Sequence, residues 1–133
     1  AGERLFHRYQ FEPFLQGGGL SVAQPDACHA GGITECLKIA AAAETHQIGY
    51  APHNTSGPVG TCAALHSDAV ATNFFLQETF PGDLPLWAEI ARTDTILRDG
   101  CWHLSHAPGL GVELNWEAVA AKPFQVVDRF HQR

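Results

Sequence analysis

Four ionisable side chains stand at near-regular intervals in a chain of 133 residues: Glu3, Asp26, His53 and Glu78, separated by 23, 27 and 25 positions. Each falls at, or just beyond, the C-terminal end of a stretch that reads as a strand. A histidine between carboxylates is equipped for proton transfer near neutral pH. A carboxylate on one ring nitrogen fixes the tautomer and makes the other nitrogen more basic. Adjacent strands lie about 4.8 Å apart, so Asp26 and His53 can hydrogen-bond if their strands are neighbours. Glu78, one strand further, can share a proton with charge developing on a substrate. Glu3, on the other side of Asp26, is a hard oxygen donor of the kind that suits Mg²⁺. One acid at a strand end means little. Four in register are harder to dismiss as solvated loop residues, because parallel α/β folds build their sites at the C-terminal ends of strands.

The elements that must carry these residues alternate. Leu20–Gln24 follows the Gly17-Gly18-Gly19 turn and stops at Pro25, as a strand would. Gly31-Gly32 open a helix with Ile33, Leu37, Ala40 and Ala41 on one face and Glu35 in the first turn, where the dipole favours an acid. Gln47–Ala51 is the next strand, ended by Pro52. Gly57-Pro58 start a second helix, proline at its preferred first position, with Val59, Ala63, His66 and Val70 along one side. Asn73–Leu76 is a third strand, with Phe74 and Phe75 expected in the core. Residues 8–16 read as a less regular helix following a strand that precedes Ala1. Strand–helix repeats of this length mean βαβ units and a parallel sheet, closed or doubly wound. After Glu78 the repeat stops. Leu86–Leu97 reads as a short helix, Arg98-Asp99-Gly100 as a turn, Pro108–Leu114 as a turn leading into a strand, and Trp116–Ala121 as a final helical turn.

Hydrophobic residues make up 45% and charged residues 17%, the balance of a globular domain with a real core rather than a disordered chain. The net charge of −6 comes without a lysine/arginine run, which argues against nucleic acid and anionic membranes as partners. No apolar stretch reaches the roughly 20 residues of a membrane span, so the cytosol is the simplest compartment. The four cysteines form no C-x-x-C pair and read as reduced, mostly buried small hydrophobes. No methionine occurs, even at position 1, which suggests a sequence lacking its natural start.

Several segments resemble one family. Gly2-Glu3-Arg4, Gln24-Pro25-Asp26-Ala27-Cys28-His29-Ala30-Gly31-Gly32-Ile33-Thr34-Glu35, Ala51-Pro52-His53-Asn54, Leu76-Gln77-Glu78 and Pro108-Gly109-Leu110-Gly111-Val112-Glu113 are similar to the enolase superfamily. Within it they look like the mandelate racemase branch and its galactonate dehydratase-like sugar-acid dehydratases. The resemblance implies an α/β fold: the C-terminal half of a modified (β/α)₈ barrel, about strands five to eight, in residues 1–80. Residues 81–133 would form an extension returning to an absent α+β capping domain. It further implies Mg²⁺ as cofactor and a small sugar acid as substrate. Glu3 would be a metal ligand, Asp26 and His53 the catalytic dyad, and Glu78 the acid that stabilises an enediolate. Elimination of a hydroxyl would then give a 2-keto-3-deoxy acid. The full-length protein is expected to be a homo-oligomer, and the fragment alone inactive.

Two alternatives stay open. A racemase or epimerase can use the same dyad and return the proton to the other face. A truncated chain can also act, if at all, as a non-catalytic interaction module. Around the row, His29 either contacts substrate or is a loop histidine satisfied by backbone groups. Cys101, His103 and His106 match no common zinc spacing. His46 and His66 read as helix-surface or core residues.

Overall fold

The structure, a computed structural model, describes residues 1–122. The elements are α1 (Arg8–Gln16), β1 (Val22–Ala23), α2 (Gly32–Thr45), β2 (Gly49–Tyr50), α3 (Pro58–Asp68), α4 (Leu84–Ile90), β3 (Ala91–Thr93), β4 (Ile96–Arg98), β5 (Cys101–His103), β6 (Val112–Leu114) and α5 (Trp116–Ala120), with a 3₁₀ turn at Pro81–Asp83. β1 and β2 are parallel, joined across α2, and the offset of 27 in residue number that pairs Val22 with Gly49 and Ala23 with Tyr50 recurs at the isolated bridge between Asp26 and His53. The expected third strand is reduced to one parallel bridge, Tyr50 to Phe74, flanked by Tyr50 N–H to Asn73 C=O at 2.9 Å and Phe75 N–H to Tyr50 C=O at 2.8 Å. On the other side of β1, Gln24 N–H donates to the Ala1 carbonyl at 3.0 Å, so the first residues lie along its edge. The result is a mixed α/β arrangement, and the described residues do not close into a barrel.

The core sits between this parallel layer and α1 and α2. Phe11 and Leu15, four apart on α1, pack with Cys36, Ile39, Ala40 and Ala43 of α2 and with Ala23 and Tyr50 of the strands. The buried stripe of α2 therefore has the expected helical period but is rotated from the expected face: of Ile33, Leu37, Ala40 and Ala41 only Ala40 is fully buried. Small side chains explain the choice. Cysteine and alanine let the helix lie close to the strands, while Ile33 and Leu37 remain half-buried. On α3 the shift is similar. Thr61, Cys62, Ala64, Leu65, Ser67 and Asp68 are buried, whereas Val59 is exposed and Val70 lies exposed beyond the helix.

Glu35 does more than meet the dipole of α2. Its carboxylate takes the Arg8 backbone N–H at 2.9 Å and the Arg8 guanidinium at 2.7 Å. It thereby satisfies one of the orphan donors at the start of α1, a helix without a side-chain cap of its own, and ties α1 to α2. The Arg8 amide, first, and then its guanidinium hold the Glu35 carboxyl below its ordinary range.

Three expectations are corrected. Phe74 and Phe75 are exposed, Phe75 at 67%, because among the described residues no further strand pairs with their segment on the side away from β2. The helix expected over 86–97 ends at Ile90, after which Ala91–Thr93 pairs antiparallel with Val112–Leu114 and Ile96–Arg98 with Cys101–His103. Tertiary pairing overrides local helical pattern there: Thr93 Oγ1 donates to Gly111 C=O at 2.7 Å and accepts the Thr95 amide at 3.0 Å. Among the cysteines, all free, only Cys36 and Cys62 are buried. The Asp99-Gly100 turn, the strand at Val112 and the helical turn from Trp116 stand where the sequence places them. Among the described residues no helix is long and apolar enough to cross a membrane.

Candidate active site

The shared offset of 27 explains why Asp26 meets His53: each is three residues past a paired position, so the register that builds β1 and β2 delivers both at one sheet end. His53 N–H donates to the Pro25 carbonyl at 3.1 Å and continues the ladder. His53 Nδ1 and Asp26 Oδ2 are 2.8 Å apart, with side-chain exposures of 18% and 3%. The other carboxylate oxygen, Oδ1, accepts the Cys28 amide at 2.7 Å. Asp26 is thus clamped between a backbone donor and the imidazole. In this arrangement Nδ1 carries the proton towards the carboxylate, leaving Nε2 as the basic nitrogen. Nε2 has no protein partner among the described residues.

Glu78 is set by a different register. The offset of 24 that bridges Tyr50 to Phe74 aligns Glu78 with Asn54, one residue beyond His53. Glu78 Oε2 accordingly accepts the Asn54 backbone N–H at 2.9 Å. The Asn54 side chain, 4% exposed, completes the link: Nδ2 donates to the Glu78 carbonyl at 3.2 Å and lies 3.0 Å from Thr61 Oγ1, while Oδ1 accepts from Thr61 Oγ1 at 3.1 Å and from the Ser56 amide at 3.3 Å. One residue joins the end of β2, the end of the third segment and the first turns of α3. Gly60 permits the close seating of α3, since a Cβ there would lie 2.8 Å from Cys28 Sγ and 2.5 Å from the Ser56 Cβ. The sequence gives Asn54 no evident role; its signal lies in its place, an Asx residue directly after a strand-end histidine and just before a Gly-Pro helix start. Asn54→Ala should lower the stability of the chain by about 2–3 kcal/mol, because Thr61 and the Glu78 carbonyl lose buried partners. Urea unfolding measures it, and an unchanged midpoint would show the network to be dispensable.

Glu3 is exposed, at the edge beside β1. Its carbonyl lies 3.3 Å from His29 Nδ1, and that same nitrogen is 3.9 Å from Asp26 Oδ2. His29 is therefore a half-exposed loop histidine leaning over the dyad. Among the described residues no group of three His, Cys, Asp or Glu side chains is placed to hold a metal ion, and Cys101, His103 and His106 form no such group. The Glu3 carboxylate is an oxygen donor of the right hardness for a divalent cation, but the described residues do not complete a cage around it.

The arrangement is a base-competent imidazole oriented by a buried carboxylate, with a second carboxylate anchored one strand away. Residues 1–119 match the family model described as enolase C-terminal domain-like. The chain belongs to that family. Its curated relatives include D-galactonate dehydratases: that of Pectobacterium atrosepticum is 46% identical over 125 residues, covering 90% of this chain and 33% of the relative. That of Cronobacter sakazakii is 43% identical over 128 residues, covering 92% and 34%. The chain spans about a third of the length of these relatives. Among solved structures, a mandelate racemase/muconate lactonizing enzyme from Jannaschia sp. CCS1 superposes with a TM-score of 0.88 at 30% identity, over 95% of this chain and 32% of the other.

Proposed function

We propose that this chain supplies part of the active site of a Mg²⁺-dependent sugar-acid dehydratase acting on an aldonate such as D-galactonate. Residues 1–80 would be the C-terminal half of its barrel, and the stretch expected over 81–133, whose residues 123–133 lie outside the described residues, an extension towards a capping domain. The observation that carries the reading is the Asp26–His53 pair at 2.8 Å, with Glu78 anchored on the neighbouring segment. Membership in a family whose curated relatives include D-galactonate dehydratases supports the substrate class.

The steps assigned to this chain are those of its own side chains. His53 Nε2 removes the proton from the carbon next to the substrate carboxylate. Asp26, already hydrogen-bonded to Nδ1, stabilises the imidazolium that forms. Glu78 offers a proton or hydrogen bond to the charge that builds on the carboxylate oxygens, the point where an α-proton this weakly acidic most needs help. The hydroxyl on the next carbon then leaves with a proton as water, and the enol left behind takes up a proton at that carbon to become a 2-keto-3-deoxy acid. His29, above the dyad, is placed to touch a substrate hydroxyl. A divalent metal would supply charge neutralisation at the substrate carboxylate, and Glu3 is the residue of this chain offered to it.

The test is to join residues 1–133 to the remaining two thirds of the Pectobacterium relative and to assay D-galactonate with Mg²⁺. Formation of a 2-keto-3-deoxy acid is expected. Solvent deuterium entering the α-position with no keto acid formed would point to a racemase instead, and neither product nor exchange would reject the reading. In the same assembly Glu3→Gln should raise the Mg²⁺ concentration needed for half-maximal activity by about tenfold, the loss of one charged oxygen ligand.

A further inference from the structure

Glu78 is tied at two points to one residue. Its Oε2 accepts the Asn54 backbone N–H at 2.9 Å, and its carbonyl accepts the Asn54 side-chain Nδ2 at 3.2 Å. Glu78 Oε1 has no hydrogen-bond partner among the described residues. A backbone N–H can only donate, so the oxygen facing it is the one that accepts. When the carboxyl is protonated, its hydrogen therefore belongs on Oε1. The backbone N–H would donate whatever residue stood at position 54. The side chain decides whether Glu78 stays close enough to accept it.

The Asn54 amide is directional. Its Oδ1 faces the Ser56 N–H at 3.3 Å, a group that only donates, while Nδ2 faces the Glu78 carbonyl, a group that only accepts. Turned over, oxygen would meet oxygen at one end and N–H would meet N–H at the other. Thr61 fixes the amide from the side, its Oγ1 lying 3.0 Å from Nδ2 and 3.1 Å from Oδ1. Asn54 and Thr61 are 4% and 1% exposed, so little water reaches these bonds to replace them. Asn54 also follows His53 directly, so the turn of backbone that presents the base anchors the acid as well.

We propose that Asn54, braced by Thr61, is a positioning residue for Glu78, holding the carboxyl with Oε2 engaged so that Oε1 is the oxygen that carries the proton in the reaction. Its catalytic meaning rests on the proposed function, whereas the bracing of Glu78 does not. The Oε1–H group donates a hydrogen bond to the substrate carboxylate oxygen on which charge builds, while His53 Nε2 takes the α-proton. Asn54 and Thr61 touch neither substrate nor proton. They act through where Glu78 stands.

The test uses residues 1–133 joined to the remaining two thirds of the Pectobacterium relative, with D-galactonate and Mg²⁺. Asn54→Asp keeps the size and Oδ1 but sets an acceptor against the Glu78 carbonyl. Thr61→Val keeps the shape and drops the hydroxyl. Each should lower kcat about tenfold or more with KM within about twofold, the pattern of a contact used only in the transition state. Thr61→Ser, which keeps the hydroxyl, should recover most of the loss. In a Glu78→Gln background Asn54→Asp should cost little further, because its effect runs through Glu78. Full additivity there, or a loss carried by KM alone, overturns the proposal. Amide hydrogen exchange supplies a readout that needs no turnover. Thr61→Val should speed exchange at the Asn54 amide about tenfold and leave the Ala51 amide, which donates to the Ala23 carbonyl at 3.0 Å, unchanged. Equal acceleration of both amides would reduce Asn54 and Thr61 to general structural support and overturn the role. Selective acceleration at Asn54 in an assembly that forms no keto acid would uphold the positioning of Glu78 and reject the proposed function alone.

Discussion

In the proposed assembly of residues 1–133 with the rest of the Pectobacterium relative, His53→Asn is expected to lower kcat by about 10²–10⁴-fold, the usual worth of a positioned general base, while leaving Mg²⁺ affinity nearly unchanged. The asymmetry follows from the geometry. Asparagine can still offer an N–H towards Asp26 Oδ2, now 2.8 Å from Nδ1, so the strand end need not rearrange. What it cannot do is accept a proton at the position of Nε2. Asp26 will remain held by the Cys28 amide at 2.7 Å, so the loop carrying His29 should keep its place. Glu3, the metal ligand proposed for this chain, approaches the dyad only through its backbone carbonyl, 3.3 Å from His29 Nδ1. Mass spectrometry of substrate recovered from deuterated buffer checks the assignment directly. If the variant washed deuterium into the α-position at near the wild-type rate, His53 would not be the base.

The row of ionisable residues was legible because register converts sequence separation into spatial adjacency. A separation of 27 between Asp26 and His53 is the same number that pairs Val22 with Gly49, so residue spacing alone held the contact. Proline also helped: Pro25 and Pro52 mark where each strand stops, and the acid or base follows directly. The link at Glu78 was less legible, since its offset of 24 aligns it with Asn54 rather than His53. A spacing rule with a tolerance of one residue sees both as the same row, whereas a hydrogen bond does not. The helix faces failed for a related reason. Periodicity gives the repeat of α2 but not its rotation: the large Ile33 and Leu37 mark one face by hydrophobicity, whereas the small Cys36 and Ala43 are the ones that sit against the strands.

The region after Glu78 was hard to read because its strands are three residues long and are held by side-chain hooks rather than by alternation. Thr93 to Gly111, Thr95 to Ser105 and Trp102 to Thr79 are contacts between distant residues, which no local pattern announces. Trp102 stacks on Trp87 of α4 with ring centroids 6.3 Å apart, both rings half-buried, and its Nε1 donates to Thr79 Oγ1 at 3.0 Å, so this region is tied to the segment that follows Glu78. That packing gives the antiparallel pairs a role in holding Thr79, the neighbour of Glu78, and through it the acid of the proposed site.

Residues 1–133 expressed alone are expected to associate or precipitate at micromolar concentration and to produce no keto acid at millimolar Mg²⁺. Closure is what removes edges from a barrel. Among the described residues the parallel layer has one two-residue ladder, β1 with β2, and two isolated bridges, and the Phe74 carbonyl and Leu76 amide have no backbone partner, which leaves an open edge at Phe74–Leu76. Phe6, Tyr9, Phe14 and Phe75 are each more than half exposed, large apolar side chains that association would withdraw from water. The open edge and these side chains favour pairing with a second copy over remaining solvated. Catalysis fails for a separate reason. One exposed carboxylate, Glu3, binds a strongly hydrated ion poorly, and among the described residues no three-ligand group stands in for the missing donors. Sedimentation velocity over a concentration series and a keto-acid assay on the same preparation measure both halves of the expectation. A monodisperse monomer with dehydratase activity would show that the site is complete within this chain, and the division of the active site proposed above would then be wrong.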